Sequence, residues 1–136
     1  MRYMMLIYTQ ETDTRSPADT QAVLQGHWAA MEEAARQGIL VDASPLARTS
    51  SATTVRMEND KAMVTDGPFA ETKEQLAGYY ILECADLDEA IGWAARIPSA
   101  CGGASGCVEI RPVQALSRVP EGFHKSRAAF AQAVNG

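Results

Sequence analysis

Long apolar runs are missing from this sequence. The longest near the N-terminus, Tyr3 to Tyr8, is far below the ~20 residues a spanning helix needs, and no small-residue cleavage site follows it, so neither a membrane segment nor a signal peptide is expected. Cysteine is scarce and odd in number: Cys84, Cys101 and Cys107 cannot all pair within one chain, which suits a reducing compartment and makes the cytoplasm the expected location. A close CxxC pair is lacking, and the two histidines stand far apart at His27 and His124, so no metal site is expected. Excess positive charge is lacking too. Twelve Lys and Arg against seventeen Asp and Glu leave a net charge of −5, and the cations do not cluster, which argues against nucleic acid as a partner. No GxGxxG, Walker loop or nucleophile elbow occurs, so no nucleotide cofactor is expected and serine hydrolysis has no support.

What is present is the composition of one folded domain. With 136 residues, 46% of them apolar and 21% charged, the chain is long enough to bury roughly two thirds of its extended surface. Tyr3 to Tyr8 is short and apolar on both alternating faces, as in a buried strand. Ser16-Pro17-Ala18-Asp19 places a hydroxyl at an N-cap, proline at the first helical position and a carboxylate in the first turn, so a helix is expected from there to about Gln37, with Gly38 as its stop. Ile39 to Leu46 reads as a short strand or edge segment broken by Pro45. Thr53 to Met57 and Ala62 to Thr65 flank the turn-forming pair Asn59-Asp60 and make a hairpin. Gly78 to Cys84 is a second apolar strand. Asp86 with Glu89 begins a second helix, in which Leu87, Ala90, Ile91, Ala94 and Pro98 are placed on one face, and Cys107 to Val113 is a last strand.

The order predicts an α+β fold, a ferredoxin-like βαββαβ sandwich with an inserted hairpin. Both helices then cover one sheet face. The strands at Tyr3 to Tyr8 and Tyr79 to Cys84 are nonetheless apolar on both faces, so a second copy of the chain is expected against the other, as a homodimer.

The block Asp66-Gly67-Pro68-Phe69-Ala70-Glu71-Thr72-Lys73-Glu74 is followed by Gly78-Tyr79-Tyr80, Asp86-Leu87-Asp88-Glu89-Ala90, Trp93-Ala94 and Val108-Glu109-Ile110-Arg111-Pro112-Val113. Together these resemble the DGPF family of YCII-related proteins. The resemblance implies a dimeric α+β barrel over residues 1–115. Residues 116–136 are read as a tail, in which Phe123, Phe130 and Val134 suggest a short helix from about Lys125. It also implies two functional associations: a histidine–aspartate acid–base pair acting on aromatic compounds in some relatives, and an alternative sigma factor system, hence a transcription-factor association, in others.

Six residues are candidates for the chemistry. At ~100° per residue, Leu24, Trp28, Met31, Ala35, Ala34, Val23 and Ala30 span an apolar arc with His27 near its middle. A histidine there is either a satisfied core residue or a pocket residue with a pKa placed for general acid/base work. Asp42, in the apolar stretch Leu40-Val41-Asp42-Ala43, is its candidate orienter or else an exposed edge-strand acid. Asp66, Glu71 and Lys73 surround a rigid Gly-Pro turn able to bind a polar ligand, though a solvated loop would have the same spacing. Arg111 alternates with Val108, Ile110 and Pro112 and is placed either to clamp a substrate carboxylate or to join a cross-strand ion pair. Tyr79 and Tyr80 point to opposite sheet faces, so that one of them could offer a hydroxyl to the inter-subunit space, with core packing as the expected role of both. The expected function is cofactor-independent elimination or isomerisation of a small aromatic or carboxylated molecule. The alternatives are a metabolite-binding or regulatory module and a purely structural dimer.

Overall fold

The computed structural model describes residues 1–12, 16–99 and 105–115. The tail helix, His124 and Cys101 lie outside the described residues. Among the described residues six strands and two helices follow in the order β1 (Arg2–Thr9), α1 (Pro17–Arg36), β2 (Leu40–Pro45), β3 (Thr53–Glu58), β4 (Lys61–Asp66), β5 (Gln75–Glu83), α2 (Leu87–Ala94) and β6 (Gly106–Pro112), with a 3-10 turn at Thr49–Ser51.

Local chemistry sets the helix ends. The Ser16 hydroxyl accepts from the Asp19 amide at 3.1 Å, and Pro17 opens α1. Gly38, at φ +74°, takes the left-handed conformation that lets the chain leave α1. At α2 the Asp86 carboxylate accepts from the Glu89 amide at 2.9 Å, while Glu89 reaches back to accept from the Ala85 amide at 2.8 Å. This is a reciprocal cap of the capping-box kind.

The main sheet runs β2-β5-β1-β6, and every neighbouring pair is antiparallel. That order, with a helix leaving β1 for β2 and another joining β5 to β6, makes the fold α+β and compatible with a ferredoxin-like architecture. β3 and β4 pair in a separate two-stranded sheet across Asn59 and Asp60. Both turn residues have positive φ, 48° and 64°, the backbone that matches the twist of a tight antiparallel ribbon.

Strand alternation divides the main sheet into two faces. Tyr3, Met5, Ile7, Tyr80 and Leu82 are buried beneath the helices together with Ala30, Ala34, Ala90, Trp93 and Ile97. Full burial of Met5 and Leu82 contributes roughly 1.5–3 kcal/mol each. The opposite face presents Met4, Leu6 and Tyr8 of β1 beside Tyr79 and Ile81 of β5, all half-buried.

Two helix faces differ from the sequence expectation. In α2, Ala90 and Trp93 are buried while Leu87 and Ile91 are about half exposed, and the helix ends at Ala94, before Pro98. Ile97, beyond the helix, takes the remaining core position. In α1 the expected arc is wider than the surface beneath it. Ala30 and Ala34 are buried, but Leu24 and Trp28 stand 52% and 66% exposed. They overhang the β2 side of the sheet and form one wall of a cleft.

Candidate functional site

α1 meets β5 where His27 contacts Tyr80, and the close approach of β5 to β2 depends on Gly78. A Cβ there would lie 2.8 Å from the Ser44 carbonyl oxygen and 3.2 Å from Pro45 Cα. Between α1 and this strand pair lies an apolar cleft of about 420 Å³, whose walls include Leu24, Trp28, Met31, Ile7, Pro45 and Tyr80. A second cleft of about 460 Å³ adjoins it, with polar residues Thr9, Glu11, Thr20, Arg48 and Ser99 among its lining. The two share Ile7, Leu24, Ala77 and His27. His27 therefore stands where an apolar compartment meets a polar one.

His27 sits in mid-helix, and its Nδ1 lies 2.7 Å from the hydroxyl oxygen of Tyr80. The same hydroxyl is 3.4 Å from the His27 carbonyl oxygen. The two rings pack tilted, 5.9 Å between centroids. Burial pushes the imidazole below its ordinary value of 6.5, so His27 is uncharged at neutral pH. Burial also pushes the Tyr80 phenol up to about 12.

Asp42 is not brought to His27. It sits opposite Ile81 in the β2–β5 register, on the other sheet face, where one oxygen accepts from the Tyr79 hydroxyl at 2.8 Å and the other from the Ala43 amide at 2.9 Å. The partner of His27 is the tyrosine of the helix-covered face rather than a carboxylate. The reason is the period of the strand: Tyr79 and Tyr80 point opposite ways, and each takes the polar side chain on its own face.

The remaining candidates are dispersed. Asp66 closes β4 opposite Thr53, exposed, and Lys73 is exposed in the loop before β5. Arg111 lies exposed on β6, opposite Met4, and thus on the open sheet face. None of these three lines the clefts at His27. Glu71 lines a separate cleft of about 440 Å³ with Glu11, Arg48 and Gln75. There the Glu11 carboxylate accepts from both the amide and the hydroxyl of Thr49, at 2.8 and 2.9 Å. The chain between Asp66 and β5 is held by its own bonds: the Gly67 amide donates to the Ala52 carbonyl at 2.7 Å, and the Thr54 hydroxyl donates to the Gly67 carbonyl at 2.8 Å.

Three residues of the site were missed in the sequence. Tyr80 was placed in the core by its apolar strand, yet a phenol on a buried face calls for a polar partner, and His27 in an apolar arc calls for one as well. That pair of unmet needs was the available signal. Arg48 and Thr9 carry no local motif. The Thr9 hydroxyl on the cleft floor is buried with no hydrogen-bond partner among the described residues.

Among the described residues no group of three or more His, Cys, Asp or Glu side chains could hold a metal ion. Cys84 is buried, and its thiol is pushed up by burial, away from the reactive thiolate. No described helix is long and apolar enough to cross a membrane.

The model of the YCII-related domain matches residues 1–117. An uncharacterized protein of Rhizobium meliloti (strain 1021) is 36% identical over 115 residues, which span 83% of this chain and 92% of that protein. The chain belongs to the family of YCII-related domain proteins.

Proposed function

We propose that the paired clefts at His27 form a small-molecule site at which the imidazole takes part in cofactor-independent acid/base chemistry, elimination or isomerisation, on a substrate with an apolar body and a polar head. The observation that carries this reading is the position of an uncharged, half-buried imidazole at the junction of an apolar and a polar compartment. An imidazole held neutral at pH 7 keeps a lone pair and can take a proton without first losing one to solvent; the imidazolium so formed can then return it. Trp28, Leu24 and Met31 offer an apolar surface, and Glu11, Thr20 and Ser99 line the polar compartment nearby. Asp42 and Arg111, expected in the sequence to orient the histidine and to place the substrate, contribute no group to this cleft.

The test is turnover. Compounds that bind the wild type are assayed for elimination or isomerisation, and His27→Asn is expected to reduce the rate at saturating ligand on the order of 10²–10⁴-fold, the usual contribution of a general acid or base. Equal rates in both proteins would remove His27 from the reaction.

A second reading, a metabolite-binding or regulatory module, has its own support. The ring partner of His27 is a neutral phenol, which offers no negative charge to stabilise the imidazolium that base catalysis forms. Saturable binding with no turnover, joined by capture of a purified alternative sigma factor only in the liganded state, would favour it.

The open sheet face supports a homodimer of the dimeric α+β barrel kind. Met4, Leu6, Tyr8, Tyr79 and Ile81 form an apolar stripe along the two central strands, edged by Glu109 and Arg111 on β6 and Asp42 on β2. A second copy related by a two-fold axis would cover this stripe with its own.

A further inference from the structure

We infer that the Tyr80 hydroxyl holds His27 in the tautomer whose proton is on Nε2, so that the cleft presents an N–H donor and selects ligands whose polar head is a hydrogen-bond acceptor, a carbonyl or carboxylate oxygen. The ligand class rests on the reading of the cleft as a small-molecule site; the tautomer does not.

A neutral imidazole carries one N–H and one lone pair, and the hydrogen bond made by one nitrogen decides what the other offers. The Tyr80 hydroxyl has two acceptors in reach: His27 Nδ1 at 2.7 Å and the His27 carbonyl oxygen at 3.4 Å. Two arrangements are therefore available. In the first, the hydroxyl donates to Nδ1, and the imidazole proton resides on Nε2. In the second, Nδ1 donates to the phenol oxygen, and the hydroxyl hydrogen is left to the carbonyl.

The distances separate them. A good O–H···O bond spans about 2.7–2.8 Å, so 3.4 Å leaves the hydroxyl poorly satisfied. The carbonyl in question also lies inside α1, where it already accepts the amide four residues on. The second arrangement thus replaces a hydroxyl donation of full strength by a weak one in a half-buried setting, where an unmade bond is costly. The first makes the short bond and leaves nothing unpaired at Tyr80. Burial of both groups acts the same way, since it keeps the phenol protonated and the imidazole neutral.

Nε2 lies on the far side of the ring from Tyr80 and has no hydrogen-bond partner among the described residues. His27 lines both compartments, so this N–H is the polar group that an incoming ligand meets beside the apolar wall of Leu24, Trp28 and Met31. A carbonyl or carboxylate oxygen completes it; an ammonium or a purely donating head leaves it unpaired. Tyr80 is a positioning residue in this scheme. For His27 to accept a proton at Nε2, the ring must first pass to the other tautomer, with the Tyr80 hydroxyl turned to the carbonyl.

The experiment is a nitrogen-15 spectrum of the two imidazole nitrogens of His27 at pH 7.5, assigned by the loss of its signals in His27→Asn. The wild type is expected to show Nε2 protonated and Nδ1 unprotonated. Tyr80→Phe, which keeps the ring and removes the hydroxyl, is expected to fold and to give averaged positions for the two nitrogens. A protonated Nδ1 in the wild type, or an unchanged spectrum in Tyr80→Phe, overturns the assignment. Acetophenone and ethylbenzene, nearly equal in size and differing in one carbonyl, then probe the ligand class. Acetophenone is expected to shift the Nε2 resonance of the wild type, and ethylbenzene at the same concentration to leave it in place. Equal shifts from both, or from neither, overturn the acceptor class. Loss of the turnover reading alone would leave the tautomer result standing.

Discussion

His27 is costly for the fold to charge, and stability is therefore tied to pH. Its folded value is lowered by burial from 6.5, so between that lowered value and 6.5 the unfolded chain binds more protons than the folded one. Stability then rises with pH through this window and is fully present above about 6.5. The contribution is lost as pH falls through the window. A series of thermal midpoints from pH 7.5 downward is expected to decline in the wild type from about 6.5, and more shallowly in His27→Asn, which lacks the buried imidazole; His124 is common to both proteins. Parallel curves for the two proteins would mean that the imidazole is not desolvated. Glu83, held below its ordinary 4.5 by the hydrogen bond from the Met1 ammonium, acts in a lower window and does not confuse the comparison. At this scale the sequence was half legible. The position of His27 on the inner side of α1 followed from helical periodicity alone, because 3.6 residues per turn fixes direction. Its partner did not, because Tyr80 and Asp42 are both near β5 in space and only the strand's period, with the bulge between Leu40 and Asp42, decides which of them shares its face.

At the scale of elements, the cleft exists because β2 lies close against β5 while α1 overhangs it. Gly78 permits that approach, with the Ser44 carbonyl and the Pro45 backbone where its side chain would be. Gly78→Ala is expected to cost roughly 1–3 kcal/mol, the range for forcing extra volume into a packed site, because backbone atoms cannot turn aside as a flexible side chain can. A lower urea midpoint with an unchanged slope would report this loss, and a midpoint equal to wild type would show that β2 is not held so tightly. Among the described residues, strand and helix existence was legible: caps at Ser16 and Asp86, the left-handed Gly38 and the Asn59-Asp60 turn all act locally. Helix faces were less so. A broad apolar arc says which side of α1 turns inward, but how much of it the sheet covers depends on where β2 ends, and that is a tertiary matter. Leu24 and Trp28 remained outside for this reason, and became the wall of the site.

At the scale of the whole molecule, two surfaces formed by the described residues carry the account: the cleft at His27, and the sheet face opposite the helices. On the sheet face, Leu6 lies between Tyr79 and Glu109, half-buried in the single chain. If a second copy covers this stripe, Leu6→Asp places a charge at its centre and is expected to convert a dimer to a monomer in equilibrium sedimentation at micromolar concentration, with the fold retained. A wild type that sediments as a monomer would refute the covering copy. The apolar stripe on this face was readable from strands apolar on both faces, whereas the separation of Asp42 and Arg111 from the cleft was not, since it follows from which face each edge strand presents. The cleft makes the stronger claim, because it joins an apolar wall, a polar compartment and a neutral imidazole in one place. Its most direct test is a thermal-shift screen of small aromatic and carboxylated molecules on wild type and His27→Asn in parallel, since a ligand that binds only the folded state raises the midpoint by mass action. Compounds with an apolar body and an acceptor head should raise the wild-type midpoint and raise that of the variant less. No stabilising compound for the wild type, or equal shifts in both proteins, would contradict a small-molecule site at His27.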